Sequence, residues 1–238
     1  MLTYDLVVPV KLLAEAKTRL APSLDAAARA GLARAFVLDT LDAALAAERV
    51  ARVIVVGDLS GHLDEIPTEL VVVAEPEPRS LTAAIGHGIA EARRLAVDER
   101  DPTGVGGRAA RSHRGLGVLL GDLPALTPQT LDVALGAASR HPLAFMPDAE
   151  GTGTTLATAA AHTRFEPAFG PDSAVLHRTL GFHDLSHDLP AGLVERVRRD
   201  VDTVEALDAA ERLGLGPHSS AALAAARRRT DSTRKGAA

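Results

Sequence analysis

A chain of 238 residues, 46% of them hydrophobic, fits one large α/β domain or two small ones. A formal net charge of -5 excludes broad, sequence-independent nucleic-acid binding, which needs an extended basic surface, and the absence of cysteine excludes disulfides, thiolate zinc sites and cysteine nucleophiles. No apolar run reaches membrane-spanning length, and with aromatics at only 3% the core must be built from Val, Leu, Ile and Ala, as in parallel sheets covered by helices.

In chain order, Asp5 to Val10 is a continuous apolar run and predicts a buried strand. No basic region followed by a long apolar stretch and a cleavage site precedes it, so a cytoplasmic protein is expected. Directly after this strand come two of the chain's three lysines, Lys11 and Lys17, with Arg19; the third is Lys235. Arginine serves as the basic residue elsewhere. Two retained ammonium groups suit a polyphosphate whose charge moves during reaction; a solvated helix face is the competing reading. No glycine-rich phosphate loop or dinucleotide fingerprint is present.

Leu24 to Ala47 predicts a long amphipathic helix with a stripe of Leu32, Phe36, Leu38, Leu41 and Leu45. Val53 to Val56 and Leu70 to Ala74 predict two further strands. Leu81 to Leu95 predicts a helix capped by Ser80. The stretch 98–114, rich in Gly and Arg, is expected to be a loop. Leu116 to Leu120 predicts a strand that runs into Gly121-Asp122-Leu123-Pro124-Ala125-Leu126. A carboxylate at a strand tip is well placed for Mg²⁺; capping of the next turn is the plainer alternative for Asp122.

Pro128 to Arg140 predicts a helix after a Thr127 cap, Leu143 to Met146 a strand, and Thr154 to Thr158 another. The run Gly151-Thr152-Gly153-Thr154 offers close backbone approach and hydroxyls for a small anion. Phe169-Gly170-Pro171-Asp172-Ser173 then leads into a helix to Leu180, with His177 the single histidine of interest among nine. His183 and His187 are expected at the surface. Asp200 and Asp202 project to one side of an extended segment, where a divalent metal or the flanking arginines would offset their repulsion. A Val204 to Leu213 helix follows. The expected division is a domain over 1–215 and a frayed helix and disordered tail over 216–238.

These elements, in this order, resemble the guanylyltransferases of deazaflavin coenzyme F-420 biosynthesis. The resemblance rests on Val8-Pro9-Val10-Lys11, Ala16-Lys17-Thr18-Arg19-Leu20, Gly121-Asp122-Leu123-Pro124, Gly151-Thr152-Gly153-Thr154, Phe169-Gly170-Pro171-Asp172-Ser173 and Asp200-Val201-Asp202-Thr203. It implies a single-domain, Rossmann-like nucleotidyltransferase fold (GT-A-like) with a mostly parallel mixed central sheet. It implies transfer of GMP from GTP to phosphoenolpyruvate with release of pyrophosphate. The alternatives are 2-phospho-L-lactate as acceptor, or a sugar-phosphate or polyol-phosphate nucleotidyltransferase.

By the same resemblance, Mg²⁺ would sit on Asp122, Asp200 and Asp202, and the phosphorylated three-carbon acid on Thr154, Gly170 and Ser173. Lys11, Lys17 and Arg19 would meet the GTP phosphates, with Leu81 and Thr82 at the nucleotide. The family's Leu-Asn-x-Ala element stands here as Leu81-Thr82-Ala83-Ala84, so a hydroxyl replaces an amide. The expected partners are GTP and the acid alone, with no nucleic acid and no membrane, in a monomer or homodimer.

Overall fold

Hydrophobic patterning sets the layers. The computed structural model describes residues 1–10, 20, 24–59, 69–98 and 114–236, with 230–236 by backbone only. Strands β1 (Tyr4–Pro9), β2 (Val50–Val56), β3 (Leu70–Val73), β4 (Gly115–Leu119), β5 (Leu143–Pro147), β6 (Thr154–Ala159) and β7 (His183–Asp184) form one seven-stranded sheet in the order β3-β2-β1-β4-β6-β5-β7. β1, β2, β3 and β4 run parallel, and β5 runs parallel to β7. β6 is antiparallel to both its neighbours, β4 and β5. The fold is therefore a single α/β domain with a mostly parallel mixed sheet, as expected.

Both sheet faces are covered, which is why β1 is buried along its whole length and shows no polar alternation. Leu6 and Val8 point to one face, Val7 to the other, because side chains alternate along a strand. The first face is packed by α1 (Ala26–Leu45), α3 (Pro128–Ala138) and α5 (Ala191–Arg198). The second is packed by α2 (Leu81–Asp98), by α4 (Ser173–Thr179) and by Phe165 and Phe182. Helix α2 sits very close: a Cβ on its Gly88 would meet Val7 and Val56 of the sheet.

The predicted caps are present. Ser80 Oγ accepts the Ala83 N–H at 3.0 Å and Thr127 Oγ1 accepts the Thr130 N–H at 3.2 Å. Asp25 caps α1, so that helix begins two residues later than its apolar pattern alone suggests. Two elements were not legible in the sequence. α5 follows Pro190 with no side-chain cap and buries only Val194 and Val197. β7 has just two residues, too few for a periodic signal.

From Gly216, where a frayed helix and tail are expected, the chain runs on as α7 (Pro217–Gly236) after α6 (Val204–Leu213). Leu223 and Ala226 of α7 are buried, and Leu223 joins Leu32 and Phe36 of α1 and Leu207 and Ala210 of α6 in a third apolar cluster. The anchor is Asp39, buried on α1. Its carboxylate accepts the N–H groups of His218 at 3.0 Å and Ser219 at 2.8 Å, donors that the first turn of a helix otherwise leaves without partners. No helix among the described residues is long and apolar enough to cross a membrane.

Candidate active site

The strand order reverses direction between β1 and β4, and ligands of open α/β sheets bind beyond the carboxyl ends of strands at such a point. Asp122 leaves the carboxyl end of β4 there. Gly121 packs against the end of β1; a Cβ on it would lie 3.5 Å from the Pro9 carbonyl oxygen and 3.7 Å from Val10 Cγ2. Val10, whose N–H is bonded to the Val56 carbonyl at 2.9 Å, is the last described residue before the basic segment. Lys11, Lys17 and Arg19 themselves lie outside the described residues, as does the stretch 99–113.

The segment between α5 and α6 closes on Asp122: the Val201 N–H donates to the Asp122 carbonyl at 3.3 Å. This brings the three predicted aspartates to one place. Burial raises the Asp200 carboxyl pKa to about 7, and the negative charges of Asp122, Asp202, Asp148 and Glu150 push it in the same direction. Asp200 Oδ1 is buried with no hydrogen-bond partner among the described residues. The flanking arginines do not serve it. Arg198 donates to the carbonyl oxygens of Asp148 and Ala149, and Arg199 pairs with Glu195 at 3.2 Å and Glu150 at 3.4 Å.

A set of hard carboxylate oxygens around a buried, unsatisfied one fits a divalent cation. A second group is formed by His141, His183 and Asp188, whose ligand atoms all lie within 4.8 Å of one another at the β7 edge. That second group does not fit an ion: the two imidazoles stack at 3.6 Å with a 6° interplanar angle, so their in-plane lone pairs cannot converge. Both rings instead lie on Asp188 Oδ2, at 3.4 and 3.1 Å.

The predicted acid-binding residues also come together. Antiparallel pairing sets Leu119 of β4 opposite Leu156 of β6, so the carboxyl end of β4 adjoins the amino end of β6, where Thr154 begins the strand. Ser173, first residue of α4, donates its hydroxyl to Thr154 Oγ1 at 3.1 Å. The Ser173 N–H donates to the Gly170 carbonyl at 3.2 Å, and the Ala174 N–H to the Thr152 carbonyl at 3.0 Å. Gly170 adopts φ 131°, open only to glycine, and Asp172 adopts φ 55° at the helix entry.

Two organisers were missed from sequence. Asp148 shapes the β5–β6 turn: its carboxylate accepts the N–H groups of Thr152 at 2.9 Å and Gly153 at 2.7 Å, while a Cβ on Gly153 would run into that carboxylate. Arg198 then ties the turn to α5. An Asp five residues before a Gly in a Gly-Thr run is the signal that was available for the first; nothing local announces the second.

Thr82 is exposed on the first turn of α2 and faces a cleft of about 260 Å³, walled by Ile85, Gly86, Ile89, Phe165 and Phe169. Leu81, half-buried beside it, packs into the second core face. The cleft thus ends one residue from Gly170.

A carboxylate cluster at the switch point of a Rossmann-like sheet, beside the Thr154, Gly170 and Ser173 group, is the arrangement expected of a nucleotidyltransferase. The fold agrees. A putative nucleotide-diphospho-sugar transferase from Desulfovibrio desulfuricans superposes with a TM-score of 0.56 at 17% identity, over 77% of this chain and 79% of that one. The 4-diphosphocytidyl-2C-methyl-D-erythritol synthase of Anaerococcus prevotii gives 0.50 at 8% identity, over 89% and 96%.

No family model matches the chain. Individual relatives are far more similar. The phosphoenolpyruvate guanylyltransferase of Streptomyces coelicolor is 43% identical over 222 residues, 93% of this chain and 96% of the relative. Those of Streptomyces scabiei and Geodermatophilus obscurus are 44% and 40% identical, over 93% and 95% of this chain and 96% and 97% of the relatives. The chain belongs to the phosphoenolpyruvate guanylyltransferase family.

Proposed function

We propose that this protein transfers GMP from GTP to phosphoenolpyruvate, giving enolpyruvyl-diphospho-guanosine and pyrophosphate, as a cytoplasmic step of coenzyme F-420 biosynthesis. The observation that carries the reading is the junction of two sites. Thr154 on β6 and Ser173 on α4, with Gly170 just before that helix, lie next to the strand end that carries Asp122.

A phosphate oxygen of the acid attacks the α-phosphorus of GTP. The new P–O bond forms as the bond to the β-phosphate bridging oxygen breaks, and that electron pair leaves with pyrophosphate. The attacking group is already an anion, since a second phosphate ionisation lies near pH ~6, so no strong general base is required. This matches a site in which buried His177 is already committed to hydrogen bonds. The hydroxyl of Thr154, supported by that of Ser173, and the open backbone at Gly170 hold the acid. Leu81 and Thr82 stand where the nucleoside would enter, beside the acid. Lys11, Lys17 and Arg19 stabilise the departing pyrophosphate. Asp122, Asp200 and Asp202 would hold Mg²⁺, which would supply neutralisation of the substrates' negative charge.

The test is mass spectrometry of the product formed from GTP and Mg²⁺ with phosphoenolpyruvate, with 2-phospho-L-lactate, and from CTP with a polyol phosphate. The expected product is the phosphoenolpyruvate adduct, with turnover lost in Asp122→Ala at unchanged circular dichroism. Product from the polyol phosphate but from neither acid would overturn the substrate class.

A further inference from the structure

His177 is fully buried on α4, and both its ring nitrogens are engaged. Nε2 lies 3.0 Å from the Ala168 N–H. A backbone amide only donates, so Nε2 is the bare nitrogen. Burial lowers the ring's pKa to about 4, against a smaller opposing effect of a backbone hydrogen bond with Ser173, so the imidazole is neutral near pH 7. Its single proton is therefore on Nδ1, which lies 2.9 Å from Thr154 Oγ1.

Thr154 Oγ1 thus accepts from His177 Nδ1–H and from the Ser173 hydroxyl at 3.1 Å. Both of its lone pairs are used. Its own proton is the remaining group, and it must be donated to something else. Phe145, Phe169 and Phe182 hold the ring in place, with centroids 5.4, 5.4 and 4.8 Å away. The Ala168 N–H, by holding Nε2, sets which way the ring faces Thr154.

We propose that His177 is a positioning residue for the acid site: it fixes Thr154 as a hydrogen-bond donor to the phosphorylated acid. The proposal rests on the reading that Thr154 and Ser173 hold that acid.

The test is a double-mutant cycle on guanylyl transfer, read as KM for the acid, KM for GTP and kcat. His177→Phe keeps an aromatic ring in the cluster and removes both hydrogen bonds. Thr154→Val keeps the shape and removes the hydroxyl. Each is expected to raise the acid KM about ten- to a hundredfold, the size of a lost hydrogen bond to a charged group, with GTP KM little changed. The double variant is expected to be no worse than Thr154→Val alone, because His177 acts through that hydroxyl.

Multiplying effects, or an equal rise in both KM values, would overturn the proposal. A second pair needs no ring in the cluster. His177→Asn places an amide donor near the Nδ1 position and keeps the Thr154 bond; His177→Gln places an acceptor near Nε2 and loses it. The acid KM is expected to stay close to wild type in Asn and to rise in Gln; equal values for the two would overturn the proposal. Failure of the wild type to use either acid would instead refute the substrate reading, and the two failures are thereby distinguished.

Discussion

Replacing Asp200 with asparagine tests the carboxylate cluster through stability, without any substrate. In the folded protein the Asp200 carboxyl titrates near 7, against an ordinary value of 3.8. Between those pH values the folded state keeps a proton that the unfolded chain has released. Stability therefore falls as pH rises through that window. At ~1.36 kcal/mol per pH unit, a separation of about three units amounts to at most about 4 kcal/mol by pH 8. For a chain of this size that is roughly a 10 °C difference in Tm.

The assay is thermal melting by circular dichroism from pH 4 to 8 in the presence of a chelator, comparing wild type with Asp200→Asn. The variant is expected to lose this component of the pH slope and to be the more stable protein at pH 8. Adding Mg²⁺ is expected to narrow that gap and, at about a thousandfold excess over Kd, to close it, since a cation that binds the ionised cluster then stabilises the wild type by about 4 kcal/mol. Matching pH slopes in the two proteins, or equal stabilisation of both by Mg²⁺, would show that Asp200 is neither electrostatically strained nor part of a cation site.

Three further outcomes can be checked. Gly153→Ala pushes a methyl into the Asp148 carboxylate and so opens the β5–β6 turn; it is expected to lower stability by about 1–2 kcal/mol and raise the acid KM, and an unchanged KM would detach this turn from the site. Asp39→Ala strands the N–H groups of His218 and Ser219; a loss of about 2–4 kcal/mol is expected, with early proteolytic cleavage in α7 and an intact remainder. His177 stays neutral in the fold down to about pH 4, whereas the unfolded chain protonates its histidine near 6.5. The unfolded state then binds more protons in that window, so wild-type stability is expected to fall on acidification by up to about 3 kcal/mol. Urea denaturation at pH 7 and 4.5 should show a smaller drop in His177→Phe.

Local signals carried much of this protein. Unbroken apolar runs such as Leu6-Val7-Val8 and Val53-Ile54-Val55-Val56 mark strands buried on both faces, and Ser80 and Thr127 mark helix starts, because hydrophobic burial and capping act over a few residues. The order of motifs was enough to point to the family, and it was that resemblance, more than residue type, that singled out the aspartates, Thr154, Gly170 and Ser173.

What the tertiary structure decided are the relations between distant residues. Nothing in Thr154–Ala159 states that this strand runs antiparallel between β4 and β5, yet that direction puts Thr154 beside the end of β4. Asp39 and His218 are 179 residues apart, and only their meeting turns an Ala-rich and Arg-rich segment into a docked helix. Asp148, Arg198 and His177 gain their roles from partners 4 to 50 residues away. Sequence periodicity reports which face of an element is apolar. Which groups share a buried site, and whose charge shifts whose proton, depends on distances that only the packed chain sets.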